Sequence, residues 1–384
     1  MKKFLASLIF LGMLCGAASA DFVYSTTDGK LGIINIPSAD SVDLSSTRYE
    51  GTKANSIIAT YWENNTSNGN GNSKLLFVTP TTGGPESSDT AIRFQNANIS
   101  APLDDAENPI TLQGANGSKI VATTQSGGSI YIAAGSSVRK YSTESFALEK
   151  VYEEASNDVV PNPEINGLLL TASRVYVLFT RNKAESKDIV LDFDGQLSTG
   201  IRNFNSWEVA SCSKTIQFIS NSRMLVGHEE GIDILNGERL VSSDAPVISI
   251  CSDNGDGFYY ATLSNDLSSV YHYSASTSTA TALLSNVSGN HVNVNHTDYD
   301  TLTVIAGGEM KIYKMEDDSL LKTYTASELG GTPYNITVAI AGGDSASGGS
   351  GGCNLIRNEE LGIRNFLIIL LVVLGLSLRR VKNS

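Results

Sequence analysis

The feature that most constrains this chain is a short hairpin pattern that returns at nearly even intervals. Residues 132–141 form a strand pattern, a tight turn and a returning strand pattern, and residues 225–235 and 304–313 repeat it. The aligned glycines Gly135, Gly227 and Gly307 lie 92 and 80 residues apart. Each interval is twice about 40–46 residues, the length of one unit in several all-β repeat architectures. The spacing therefore predicts one further hairpin in each gap.

Hairpins of this kind occur in both gaps and twice more toward the N-terminus. Their β-branched and aromatic residues are bounded by turn-forming residues, and they cover residues 22–34, 57–78, 175–193 and 258–273. A lone hairpin cannot bury both of its faces, whereas hairpins arranged radially pack against their neighbours. We therefore predict that residues 21–343 are an all-β body, a single β-propeller of seven blades. Two β-sandwiches or a solenoid are the competing interpretations.

The two ends of this body predict how the ring would close. The first hairpin begins without a strand before it, whereas Tyr334–Ile340 forms an extra strand pattern after the last hairpin. We expect that strand to complete the first blade. Over nearly the whole body, the hairpins resemble the degenerate repeats of YVTN-type and quinoprotein-type β-propellers. This resemblance also implies a propeller.

The N-terminus has the three parts of a secretory signal peptide. Lys2 and Lys3 are followed by an apolar stretch at 4–15 and by the small residues that end at Ala20. This order predicts a signal peptide at residues 1–20, with cleavage after Ala20 and an exported mature chain.

The C-terminus has a different three-part pattern. Residues 344–365 form a Gly/Ser-rich linker that contains Gly351, Gly352 and Cys353, and residues 366–384 form a hydrophobic segment and basic tail. The apolar run at 366–378 predicts a short helix, but a membrane span needs about 20 apolar residues. We therefore expect it to act as a membrane stop, at least a transient one, with Arg379 and Arg380 retained on the cytoplasmic side.

This tail resembles the C-terminal sorting signals of bacteria, most closely the Synerg-CTERM type, and it shares the layout of the GlyGly-CTERM type. The resemblance covers about the last 40 residues. It implies processing or anchoring at Gly351, Gly352 and Cys353, with the basic pair Arg379 and Arg380 ending the signal. It also implies that export and sorting machinery are partners and that the protein is held at the cell envelope or surface.

The mature body retains two cysteines, Cys212 and Cys251. An exported protein can form disulfides, but the sequence does not place the two Cα atoms within bonding reach. A disulfide bridge and two buried thiols both remain open.

Charge and motif content limit the possible functions. The net charge of −13 disfavours binding to a nucleic-acid backbone. The body has no nucleophile elbow, Cys-x-x-Cys pair or phosphate loop, so we predict no catalytic, cofactor or metal residues. We interpret Asp253–Gly257 as a β-turn rather than a calcium loop, because glycine occupies its third position.

Isolated histidines and tryptophans are most simply explained by structure. We interpret His228 as an exposed turn residue, and we interpret His291 and His296 as surface or turn residues on opposite faces of a strand. Trp62 and Trp207 are candidates for ligand stacking, but packing between blades is the favoured interpretation.

These observations favour a non-catalytic binding or adhesion module for a glycan or protein, exported and anchored in the envelope. A polysaccharide lyase or glycosidase with a propeller fold remains an alternative, because a propeller can assemble its site from several blades. A scaffold for envelope protein assembly is the third possibility.

Overall fold

A computed structural model describes residues 20–340 apart from short internal segments. These segments are 39–40, 51–55, 63–71, 80–88, 96–109, 113–119, 126–128, 135–136, 143–146, 154–163, 171–174, 181–187, 194–205, 220–222, 254, 290 and 297–300. The chain divides into two compact units, Met1–Asn354 and Leu355–Ser384, and the second lies outside the described residues. Within the described part, no helix is long and apolar enough to cross a bilayer.

The described residues are almost entirely β-strands, arranged as seven four-stranded antiparallel sheets, which we number 1 to 7 along the chain. Sheet 1 has the order β28 (Pro333–Ile340), β1 (Ala20–Thr26), β2 (Lys30–Ser38), β3 (Ser41–Glu50). The next three sheets are β4 (Ser56–Trp62), β5 (Asn72–Thr79), β6 (Asp89–Gln95), β7 (Ile110–Leu112); β8 (Ile120–Gln125), β9 (Ser129–Ala134), β10 (Ser137–Ser142), β11 (Leu148–Glu153); and β12 (Glu164–Leu170), β13 (Val175–Thr180), β14 (Asp188–Phe193), β15 (Ser206–Val209). Sheets 5 to 7 are β16 (Thr215–Ile219), β17 (Arg223–His228), β18 (Gly231–Ile234), β19 (Arg239–Ser242); β20 (Val247–Ser252), β21 (Phe258–Ser264), β22 (Leu267–Ser274), β23 (Thr279–Ser288); and β24 (Val292–His296), β25 (Thr301–Ala306), β26 (Glu309–Lys314), β27 (Leu320–Tyr324).

The seven predicted hairpins are confirmed, each in a different sheet. Six of them form the middle two strands of their sheet, whereas the hairpin at 57–78 forms the first two strands of sheet 2, β4 and β5. The predicted pairing of the C-terminal strand is also confirmed, since β28 pairs antiparallel with β1 from Ala20↔Ile340 to Thr26↔Pro333. Sheet 1 therefore joins the two ends of the described chain.

Strand side chains alternate between two cores, one on each face of a sheet. In β17, Met224 and Val226 lie in a buried cluster shared with sheet 4, whereas Leu225 lies in a cluster shared with sheet 6. In β21, Phe258 faces the second of these clusters and Tyr259 faces a third, shared with sheet 7. Full burial of each such side chain contributes roughly 1.5–3 kcal/mol. The middle strands are apolar on both faces because a core lies on each side.

The first strand of each sheet contacts the first strand of the next sheet, in the order β28, β4, β8, β12, β16, β20, β24, and β24 in turn contacts β28. Hydrogen bonds also join sheet 7 to sheet 1. Asn295 Nδ2 donates to the Ile336 carbonyl at 3.4 Å, and the Tyr324 hydroxyl donates to the Val42 carbonyl at 3.3 Å.

A single-turn helix, α1 (Ala326–Leu329), leads into β28. Thr325 caps it, with a side-chain oxygen that accepts from the Glu328 amide, and Gly330 ends it in the left-handed region at φ 78°. The buried Tyr24 hydroxyl donates to the Leu329 carbonyl at 3.2 Å. This bond fixes the helix against β1.

Candidate functional site

The predicted processing and anchoring residues fall mostly outside the described part of the chain. Gly351, Gly352, Cys353, Arg379 and Arg380 all lie there. Ala20 is described as the first residue of β1, one residue before the predicted mature N-terminus. The signal peptide and the sorting signal therefore remain predictions.

The two body cysteines lie in neighbouring sheets and are not bridged. Cys212 is in the turn before β16, and Cys251 is in β20. Both are buried thiols, which is one of the two states that the sequence left open. Cys251 belongs to the core between sheets 6 and 7, where it pairs in register with Tyr259.

His228 is not the exposed turn residue that its position predicted, since only 1% of its surface is exposed. Its Nδ1 accepts the Glu230 backbone N–H at 3.2 Å, so that nitrogen carries no proton. Its Nε2 lies 3.2 Å from Asp233 Oδ2, and Arg239 Nε donates to Asp233 Oδ1 at 2.9 Å. Asp233 of β18 and Arg239 of β19 thus lie beside Nε2 of the ring, and these contacts join neighbouring strands of sheet 5.

A second histidine cluster lies where sheet 6 meets sheet 7. His272 Nδ1 is 2.7 Å from Asp318 Oδ2, and His272 Nε2 is 3.3 Å from Asp253 Oδ2. The Tyr259 hydroxyl donates to Asp318 Oδ1 at 2.7 Å, and the Tyr259 ring stacks on the imidazole with centroids 4.2 Å apart. His272, Asp253 and Tyr259 come from sheet 6, whereas Asp318 comes from the β26–β27 turn of sheet 7.

The electrostatics of this cluster follow from partial burial beside two carboxylates. Burial alone would lower the pKa of His272, but hydrogen bonds to Asp253 and Asp318 and their negative charge outweigh it, so the pKa is raised. Burial, followed by the hydrogen bond to Asp318, raises the pKa of Tyr259. Tyr259 therefore keeps its proton at ordinary pH and can donate it to Asp318.

The described part of the Asp253–Gly257 segment bends at residues 255–256. Asp253 Oδ1 accepts the Gly255 N–H at 2.7 Å, a short side-chain turn that competes with any ion for this oxygen. Across the described residues, no group of three or more His, Cys, Asp or Glu side chains is arranged to hold a metal ion.

The remaining candidate aromatic and histidine residues have mixed outcomes. Trp207 stacks on Tyr176 with centroids 6.2 Å apart and packs against the core between sheets 4 and 5, as the packing interpretation predicted. His291 is only partly exposed and stacks on Tyr334 at 4.8 Å. Burial lowers its pKa. The side chains of Trp62 and His296 are not among those that the structure describes.

A surface with a different chemistry lies on the outer strand of sheet 6. Residues 276–282, from the β22–β23 turn into β23, are all exposed and consist only of Ser, Thr and Ala. Thr277 and Thr279 hydroxyls lie 2.7 Å apart, and Ser274 and Ser276 hydroxyls lie 2.9 Å apart. We call residues 274–282 the hydroxyl edge.

The hydroxyl edge differs in charge from the other outer strands. Among the seven described outer strands, only β23 and the three-residue β7 lack a charged residue. Register shifts interrupt the later part of β23, so its regular part is Thr279–Ala282, paired with Tyr271–Ser274. Among the described strands, β23 has no partner on its outer side, so this segment offers backbone groups beside uncharged hydroxyls there.

Sequence reasoning missed both histidine–carboxylate clusters. The hairpin alignment placed His228 and His272 in strands or turns, but Asp318 is 46 residues from His272 and comes from a different sheet. A register for each hairpin could have shown that His272 lies opposite Tyr259. No local pattern could have shown the carboxylate from sheet 7.

No protein-family model matches the chain, and no curated protein matches it. Among solved structures, U3-55K is similar at 9% identity with a TM-score of 0.43, over 56% of this chain and 67% of that chain. The extracellular domain of the one-component system BT4673 from B. thetaiotaomicron is similar at 11% identity and TM-score 0.48, over 77% of this chain and 38% of that chain. Tricorn protease is similar at 10% identity and TM-score 0.43, over 80% and 36% of the two chains. The chain thus spans well under two thirds of the length of the latter two.

Proposed function

We propose that the seven sheets are blades of a single closed β-propeller and that this body is an exported, envelope-anchored, non-catalytic binding module for a glycan or protein. Two sets of contacts support the closed ring. The first strands contact one another in a series that returns to β28, and Tyr324 of sheet 7 donates to Val42 of sheet 1. Pairing of β28 with β1 would then hold the ring together, as the final strand does in other propellers.

Removal of the closing strand tests this architecture. Deleting residues 333–340 from the full chain takes away the first strand of sheet 1 and its contacts with sheets 2 and 7. We expect the cooperative unfolding transition in urea to be lost rather than slightly shifted. A truncated chain that unfolds with the same slope and midpoint as the intact protein would contradict a closed ring.

The hydroxyl edge is the observation that carries the binding function. Its side chains can donate and accept hydrogen bonds without the desolvation cost of a charge. The outer position of β23 leaves its backbone groups available as well, and either an extended peptide or the hydroxyls of a glycan could pair with them. Export and anchoring, implied by the two ends of the sequence, would present this edge outside the cell.

The first test incubates the full protein with a panel of glycans and envelope polysaccharides, and records both retention and product masses. Ala282→Lys places a charge on the hydroxyl edge, and Leu320→Lys, at a position with 52% exposure on β27, is the matched control. We expect retention with unchanged product masses, lost in Ala282→Lys and kept in Leu320→Lys.

The remaining outcomes separate the alternatives. Shorter products would replace the binding module with a glycan-cleaving enzyme. If no glycan is retained, cross-linking on intact cells should give a protein adduct that Ala282→Lys removes and Leu320→Lys retains. Absence of both would contradict the proposal.

A further inference from the structure

We propose that His272 is a proton-dependent latch between sheets 6 and 7, in which the doubly protonated imidazole bridges Asp253 and Asp318. The latch stabilises the body whatever ligand the body binds.

Each ring nitrogen of His272 faces a carboxylate oxygen, at 2.7 Å for Asp318 and 3.3 Å for Asp253. An ionised carboxylate only accepts hydrogen bonds, so each of these contacts needs an N–H on the ring. A neutral imidazole carries one N–H and would direct its lone pair at the other carboxylate. The geometry is therefore complementary to the imidazolium.

The other oxygen of each carboxylate is already occupied. Asp318 Oδ1 accepts the Tyr259 hydroxyl at 2.7 Å, and Asp253 Oδ1 accepts the Gly255 amide at 2.7 Å. Both carboxylates are thus oriented by partners other than the histidine. The imidazolium completes a site that its neighbours have already arranged.

The elements packed around His272 contribute few other ionisable groups. Cys251 on β20 is the register partner of Tyr259 on β21. The uncharged Thr281 on β23 is the register partner of His272. In the turn of sheet 7, the Ser319 hydroxyl donates a hydrogen bond to the Asp317 carboxylate at 2.6 Å. Glu316 forms an ion pair with Lys314. Asp253 and Asp318 are therefore the charges that set the protonation of the ring.

The latch connects sheets rather than strands of one sheet. Asp318 belongs to sheet 7, so its contact with His272 joins sheets 6 and 7. The turn that contains Asp253 also contacts sheet 5, because Arg223 Nη2 of β17 donates to the Asp256 carbonyl at 3.1 Å. Losing the proton would remove the charged link to sheet 7 while the link to sheet 5 remains. The core beneath it, which contains Cys251 and Tyr259, would then open more often.

The direction of the pH effect follows from the raised pKa of His272. A histidine whose folded pKa exceeds its unfolded value, about 6.5, stabilises the folded state fully below that value. The stabilisation disappears as pH rises through the folded pKa. The latch is therefore closed in mildly acidic conditions and weakened in alkaline conditions.

The labelling rate of Cys251 measures opening of this contact. The full protein and its His272→Gln variant are treated with a pyridyl disulfide, and peptide mass spectrometry reads Cys251 separately from the other cysteines. Taking the ratio of the two rates at each pH cancels the intrinsic pH dependence of the thiol. We expect the variant to label about tenfold faster near pH 6, as loss of a charged hydrogen bond implies, and the ratio to approach one near pH 9.

Two further variants make the result specific. Asp318→Asn keeps the shape of the side chain but removes its charge, so it should reduce the pH dependence of Cys251 labelling even if His272→Gln folds poorly. Tyr271→Phe is the matched control, because Tyr271 is one position away on β22 and stacks on Tyr260 instead, with centroids 5.0 Å apart. It should leave the ratio independent of pH.

A direct titration by NMR completes the test. The imidazole signal of the wild-type protein that moves in Asp318→Asn should titrate with a midpoint above 6.5. A midpoint at or below that value, or a labelling ratio for His272→Gln that does not change with pH, would overturn the latch.

Discussion

Replacing Gly227 with alanine should destabilise the protein, although most extended glycines gain stability from this change. A Cβ at this position would lie 2.6 Å from Thr215 Cγ2 and 2.9 Å from Val247 Cγ1. Crowding of this kind in a packed core costs about 1–3 kcal/mol. Alanine also reduces the conformational entropy of the unfolded chain, but this stabilises the folded protein by only about 0.4–1 kcal/mol. The net change should therefore be a loss of up to about 2.6 kcal/mol in the free energy of unfolding.

A second substitution shows whether crowding is the cause. Thr215→Ser removes the methyl group nearest to the new Cβ and keeps the hydroxyl, and the two residues are direct partners across β16 and β17. The free energy of unfolding, from urea titrations followed by circular dichroism, is measured for both single variants and the double variant. We expect Gly227→Ala to cost less in the Thr215→Ser background. Equal cost in both backgrounds, or a stabilised Gly227→Ala protein, would refute this reasoning.

Three other predictions use the same unfolding assay or thiol chemistry. Thr303→Val should raise the free energy of unfolding by about 1 kcal/mol, because the buried Thr303 hydroxyl has no hydrogen-bond partner among the described residues; a loss of stability would instead reveal a partner. Tyr24→Phe should lower the same free energy by about 1 kcal/mol, since the Leu329 carbonyl loses its donor at 3.2 Å; an unchanged midpoint would argue against that bond. Cys212 and Cys251 should resist thiol reagents in the native protein and react in denaturant without reductant; failure to react there would indicate a disulfide.

The sequence predicted the local part of this fold well because hairpins carry their own signals. Each predicted hairpin is a pair of strands close in sequence, bounded by residues that favour turns, and all seven pairs are present. The last strand, Tyr334–Ile340, could also be predicted, because an unpaired strand pattern after the final hairpin needs a partner. Contacts between sheets could not be predicted, since they depend on which turns meet across a gap of many residues.

The aligned glycines illustrate this limit. Gly227 and Gly307 occupy equivalent places in two hairpins, and neighbouring side chains would crowd a Cβ at both, but only Gly307, with φ 63°, also has a backbone conformation that favours glycine. Their shared position in the alignment predicted a common turn. In the structure only Gly307 adopts the left-handed conformation, and Gly135 lies outside the described residues.

The two histidine clusters show why residue type alone does not predict a role. His228 and His272 both lie in the middle strands of a sheet and both contact aspartate, so a sequence pattern treats them alike. His228 receives a backbone N–H at Nδ1, which requires a ring nitrogen without a proton. His272 meets an acceptor at each nitrogen, which requires both protons. The difference comes from what the adjacent turns place around the ring, a donor in sheet 5 and a second acceptor from sheet 7. The latch that we propose for His272 therefore depends on the contact between sheets, because one of its two acceptors comes from the turn of sheet 7.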